Sequence, residues 1–171
     1  MRYTFTSSRG GKMIDDIDRK ILQQLQENAR TPNSEIAEKI GMAPSATYER
    51  VRKLERKGII KGYEVRLDAE KLGAGLIAFI AVRTTEPAGI IAAAPDFVKI
   101  PEVQEVYNVA GDDCYLLKVR THDTTTLNEL IREKIGRVDT VKSTRTTIVL
   151  QIHKETTRLA LESLGKKDES N

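Results

Sequence analysis

Arg50, Arg52, Lys53, Arg56, Lys57 and Lys61 put six cations into twelve residues, against the single carboxylate Glu55. Guanidinium and ammonium groups in such a run suit phosphate oxygens, so the chemistry they offer is binding of a polyanion. Charge is also divided along the chain. Residues 1–66 hold 14 Lys/Arg against 9 Asp/Glu, whereas residues 67–171 hold 14 against 16. On charge alone, the run fits a solvated helix face as well as it fits a nucleic-acid contact.

Side chains that make and break bonds are poorly supported. The sequence has no GxxxxGK[ST], GxSxG or HExxH motif, and no GxGxxG following a strand. His122 and His153 stand near the ends of predicted strands, without Cys or carboxylate–serine partners nearby, and read as surface or packing histidines. Cys114 is the one cysteine, which excludes an intrachain disulfide, and two histidines leave no zinc-ligand spacing. It reads as a small core residue. We expect no catalytic residue, no metal and no cofactor, and a reducing, cytoplasmic setting. No stretch approaches the roughly 18 apolar residues of a membrane helix, and Met1 to Lys12 lacks the apolar segment of a secretory signal.

The elements that must position the cations are helices. Ile14, Ile17, Ile21, Leu22 and Leu25 recur at helical spacing, with Asp15 as N-cap and Asp18 three residues on. Thr31-Pro32-Asn33 breaks the pattern. Asn33 is read as the cap of a second helix through Ile36, Ala37 and Ile40, stopped by Gly41. Pro44 suits the first turn of a third helix, whose inward stripe is Thr47, Val51 and Leu54 and whose end is Gly58. This is helix-turn-helix spacing, and the third helix coincides with the basic run. Offered to a major groove, it would place Pro44, Ser45, Ala46, Tyr48, Glu49 and Arg52 nearest the bases. Arg50, Lys53, Lys57 and Lys61 would meet phosphates. Alternation at Tyr63, Val65 and Leu67 predicts a strand after it.

The second half reads strand–helix–strand–strand–helix–strand: Leu76–Val82, Ala88–Val98, the segment around Val103 to Val109, Cys114–Val119, Thr124–Ile135 and Thr146–Ile152. That order is the ferredoxin-like βαββαβ arrangement, an antiparallel sheet with both helices on one face. The fold class is α+β. The expected divisions are a leader at 1–12, a winged helix-turn-helix domain at 13–67, a linker at 68–75, a ligand and oligomerisation domain at 76–157, and a tail at 158–171. The sheet's other face needs a partner, and Ile148 or Val149, Leu150 and Ile152 are expected in a homodimer interface.

Five segments carry a family resemblance. They are Ile14-Asp15-Asp16-Ile17-Asp18-Arg19-Lys20-Ile21-Leu22, Glu35 to Gly41, Arg50 to Ile60, Gly111-Asp112-Asp113, and Thr146-Thr147-Ile148-Val149-Leu150. In this order and spacing the chain resembles the Lrp/AsnC, or feast/famine, transcription regulators from Met13 to about Thr157. The resemblance implies a homodimer, often assembled into octamers, on a pseudo-palindromic double-stranded DNA site. It also implies an amino-acid-like effector held near Gly111, with hydroxyls from Thr144, Thr146 and Thr147.

Effector chemistry follows from the ligand itself. A zwitterion withdrawn from water needs partners for both charges. Backbone N–H groups near Gly111 suit its carboxylate, and Asp112 or Asp113 its ammonium. Three departures from the family pattern stand out: Ala43 replaces the usual Ser at the N-cap, Thr47 replaces a buried Val, and Cys114 stands where Gly-x-x-Asp has its Asp. An effector-independent architectural DNA-binding protein is the alternative on the same fold. A siroheme-decarboxylase-like enzyme would need cleft histidines.

Overall fold

The computed structural model describes residues 14–87 and 91–162. The expected leader at 1–12, the end of the tail from residue 163, and residues 88–90 of the expected Ala88–Val98 helix lie outside the described residues. The chain divides into two compact units, one of residues up to 65 with those from 156 onward, the other Arg66–Glu155.

The first unit holds three helices, α1 (Asp16–Glu27), α2 (Asn33–Ile40) and α3 (Pro44–Arg56). Asp15 caps α1 through a capping box: its carboxylate accepts from the Asp18 N–H at 2.7 Å, and the Asp18 carboxylate accepts from the Asp15 N–H at 3.3 Å. The cap expected at Asn33 falls differently. Asn33 is already helical, and Pro32, whose ring carries no acceptor, precedes α2 without a side-chain bond at φ −61°. Gly41 ends α2 at φ +70°, where an L side chain is strained, and the Met42 N–H returns to the Ala37 carbonyl at 2.9 Å. This turn brings α3 against α2. Ile21, Leu22, Ile36, Val51 and Leu54 form the core, joined by Ile59, Ile60 and Leu161.

The strand predicted at Tyr63 to Leu67 does not form. Residues 61–67 pair in no sheet, and Tyr63, Val65 and Leu67 are exposed. Period-two alternation needs a ladder partner, and none is present among the described residues. Residues 68–75, expected as a linker, form consecutive turns, with the Ala74 N–H bonded to the Ala69 carbonyl at 2.8 Å. The described part of the expected tail packs with the helical unit. Gln26 exchanges two bonds with the Leu159 backbone, at 2.7 and 3.1 Å, and Leu161 packs on the helical core.

The second unit is a four-stranded antiparallel sheet in the order β2-β3-β1-β4, built from β1 (Leu76–Thr84), β2 (Val103–Asn108), β3 (Tyr115–Thr121) and β4 (Val141–Ile148). Helix α4 (Ala94–Val98) begins later than expected, with Pro95 in its first turn. Helix α5 (Thr124–Glu129) is capped by Asp123 and continues through a π turn and a short 3-10 turn to Arg137. Ala78, Ile80, Val82, Tyr115, Leu117 and Val119 face Phe97, Ile100, Leu127, Leu130 and Ile135 in one core. The rings of Phe97 and Tyr115 meet edge to face at 5.3 Å.

The last strand lies earlier than expected: β4 is Val141–Ile148, not Thr146–Ile152. Hydrophobic residues at 148, 150 and 152 make the later window look apolar. The ladder to β1 nevertheless runs from Ala78 opposite Ile148 to Thr84 opposite Val141, and Leu150 is 97% exposed.

Candidate nucleic-acid interface and effector cleft

Helix α3 turns two different faces outward and inward. Thr47, Val51 and Leu54 are buried. Pro44, Ser45, Tyr48, Glu49, Arg52, Lys53, Lys57 and Lys61 are exposed, and Ala46 is half-buried. The predicted base-facing and phosphate-facing residues therefore share the solvent side, with one exception.

Arg50 is the exception and a correction. Its Nη1 donates to Asp15 at 2.6 Å and to Asp18 at 2.8 Å, across to the first turn of α1. Helix geometry explains this, since position 50 follows Thr47 by three residues and precedes Leu54 by four, on the buried side of the helix. The Asp15 carboxylate is held below its usual pKa, first by the Asp18 N–H and further by Arg50, and the Arg50 guanidinium is held above its own by the two carboxylates. Arg50 joins helices rather than reaching outward. Arg56, left out of the predicted contacts, is exposed on the outer face. Counting around the helix rather than along the chain would have exchanged the two.

Further along, Tyr63 donates from its hydroxyl to Glu55 at 3.0 Å, and Arg52 lies 3.8 Å from the same carboxylate group. Ala43 makes no side-chain cap bond. Thr47 is fully buried, and its hydroxyl has no hydrogen-bond partner among the described residues.

In the second unit a cleft of about 290 Å³ is lined by Ala81, Arg83, Asp112, Asp113, Ser143, Thr144 and Arg145. Register places it on the face opposite the helices, because Ala81 pairs with Arg145 and Arg83 with Ser143. Arg145 Nη2 donates to Asp113 at 2.8 Å, and Arg83 Nε donates to the Asp112 carbonyl at 3.1 Å. Gly111, at φ +130°, lets the chain turn into this pair of aspartates.

Of the predicted effector residues, Asp112, Asp113 and Thr144 line the cleft. Gly111 shapes the loop without lining it. Thr146 pairs with Ile80 and so turns toward the helix-covered side, and Thr147 pairs with Phe79, beyond the cleft. Both are corrections. Period-two alternation turns Thr146 toward the helix side, as it does Thr144 opposite Val82, whereas Thr147 shares the cleft's face and lies further along β4. Arg83, Ser143 and Arg145 were missed, since only a known register brings them together.

No group of three or more His, Cys, Asp and Glu side chains among the described residues could hold a metal. No helix among them is long and apolar enough to cross a membrane.

Residues 14–61 match the family description "Winged helix-turn-helix DNA-binding", and residues 77–159 match "Lrp/AsnC ligand binding domain". The chain is 36% identical to the leucine-responsive regulatory protein of Escherichia coli K12 over 92% of this chain and 98% of that protein. It is also similar to the solved structure of E. coli AsnC, with a TM-score of 0.80 and 31% identity over 86% of this chain and 99% of that one. A Neisseria meningitidis transcriptional regulator solved as an L-methionine complex gives a TM-score of 0.79 and 33% identity, over 87% of this chain and 97% of that chain.

Proposed function

Because this chain belongs to the Lrp/AsnC family of transcriptional regulators, we propose that it binds specific double-stranded DNA through α3, as a homodimer or larger assembly, and that an amino acid in the β1/β4 cleft tunes that binding. The observation that carries the reading is the exposed face of α3. It presents Ser45, Tyr48 and Arg52 beside Lys53, Arg56 and Lys57, while the opposite stripe is fixed in the core. A rigid helix with base-reading groups flanked by phosphate-binding cations is what a major groove accepts.

For the effector, the support is the size and polarity of the cleft. About 290 Å³ is at the small end for ligand sites, fitting a metabolite rather than a large cofactor. Arginine and aspartate side by side suit the two charges of a zwitterion. For assembly, the support is the sheet face away from the helices, where Phe79 and Leu116 are only half-buried and Tyr107 is exposed. A dimer binding a pseudo-palindrome would then follow from its own twofold symmetry.

The test is DNA affinity by fluorescence anisotropy on a pseudo-palindromic site selected from a random library, measured across a salt series with and without each amino acid. The reading requires that log K fall linearly with log salt and that some amino acid shift either K or the assembly size. Affinity indifferent to salt would overturn the DNA contact. Indifference to every amino acid would leave the architectural, effector-free alternative.

A further inference from the structure

Resting on the DNA reading above, we propose that Glu55 is a positioning residue for sequence recognition, acting through Arg52. Its charge weakens binding to all DNA alike, and its hold on the guanidinium restores affinity only where the base fits. Glu55 is the single carboxylate among the six cations from Arg50 to Lys61. A negative charge there opposes the approach of any polyanion. Its favourable part in the contact therefore comes from what it holds.

Both of its oxygens face donors. Oε1 accepts from the Tyr63 hydroxyl at 3.0 Å, and Oε2 lies 3.8 Å from Arg52 Nη1. Arg52 and Glu55, three residues apart, are neighbours on one helix surface. Tyr63 comes from beyond the end of α3, past the turn that Gly58 makes at φ +66°. The carboxylate is thus steadied from outside the helix while it faces the arginine. Of the charged pair, Glu55 is the more covered, with a side chain 32% exposed against 54% for Arg52. The arginine keeps its access to a ligand.

An exposed ion pair of this spacing adds little to stability. Its consequence lies in the freedom of the arginine. A guanidinium has five N–H donors in a planar fork. Turning one edge toward Glu55 leaves the others for the two acceptors that guanine presents in the major groove. An unheld arginine reaches neighbouring bases and phosphates as well, and it loses more side-chain freedom when it settles on one base. Specificity is a difference of affinities, and the hold on Arg52 acts on that difference.

The experiment is fluorescence anisotropy of the full-length protein on its selected site, on single-base variants of that site and on a random-sequence duplex, at one salt concentration. The parent is compared with Glu55→Ala, Tyr63→Phe, Arg52→Ala and the double variant of Arg52→Ala with Glu55→Ala, each checked for folding by its urea midpoint. Glu55→Ala is expected to bind the random duplex more tightly, because a repelling charge is gone. Its discrimination at the base position read by Arg52 should nevertheless fall about threefold or more, part of what one base contact supplies. Tyr63→Phe keeps the charge, so its discrimination should fall with no gain on the random duplex. In the Arg52→Ala background, Glu55→Ala should cause no further loss of discrimination.

An equal gain on every sequence in Glu55→Ala reduces the residue to a bare charge and overturns the proposal. Unchanged discrimination in Tyr63→Phe overturns it too, and decides the matter alone if Glu55→Ala fails to fold. A loss that persists without Arg52 also overturns it. A parent protein that binds every duplex equally overturns the proposal and leaves the DNA contact standing. One that binds no duplex overturns the DNA reading as well.

Discussion

The Arg50 guanidinium on α3 sits 2.6 Å from the Asp15 carboxylate that caps α1, joining two helices 35 residues apart in sequence. Charge that looks available to DNA in the sequence instead fixes the angle of the helix that presents the other charges. Arg50→Ala is expected to destabilise the protein by about 1–3 kcal/mol, the range for hydrogen bonds between charged groups, discounted for partial exposure. Urea denaturation measures it. The slope of log K against log salt should stay as it is in the parent protein.

Lys53→Ala is expected to do the reverse. Its ammonium is exposed on the outer face of α3, so stability should change little, while the salt slope falls by about one and affinity drops similarly on all sequences. Arg52→Ala should instead relax base preference by about 1–3 kcal/mol at one position of the site. Binding measured on single-base variants of the operator separates the two.

Thr47→Val is expected to stabilise the first unit. The hydroxyl is buried without a partner among the described residues, and valine keeps the shape while removing the desolvated group, a gain of about 1 kcal/mol. A raised denaturation midpoint with an unchanged m-value would show it. A lowered midpoint would mean the hydroxyl is bonded in solution.

Asp123 caps α5, and its pKa is pushed down to about 2 by the Thr126 N–H, and further by His122 and the Thr126 hydroxyl. Its folded pKa lies below the unfolded value of 3.8. The contribution is therefore complete above about pH 4 and is lost as pH falls toward 2. Melting temperature across that window should fall less steeply in Asp123→Asn than in the parent. A carboxyl titration by NMR midway near pH 4 would contradict the cap's ionisation.

Leu150 tests assembly apart from folding. It is 97% exposed in the single chain, so Leu150→Asp should leave the fold intact. If the homodimer buries it, dissociation should rise by at least about tenfold, since burying a leucine stabilises by about 1.5–3 kcal/mol. Light scattering across a dilution series reads the change, and an unaltered dimer would place the interface elsewhere.

What could be read from the sequence was local. The Asp15–Asp18 box, the inward stripe of α3 and the stop at Gly41 all depend on residues within about two turns of each other. What escaped was long-range. The register of β4 depends on β1 and on the irregularity between Arg83 and Thr84, and apolar residues past the strand drew the prediction late. The same dependence hid Arg83, Ser143 and Arg145, which lie on two strands some 60 residues apart in sequence and meet only when those strands pair.

Residues 156–162 belong to the helical unit, although 90 residues of the other unit separate them from residue 65. Leu161 in the core of α1 to α3 and the Leu159 backbone bonded to Gln26 are therefore made only after the whole of the other unit. A fragment ending at the linker would carry every DNA-facing residue and still lack part of its own packing. The helices that would read DNA thus draw part of their packing from a segment on the far side of the other unit, which ties their final stability to chain that follows that unit.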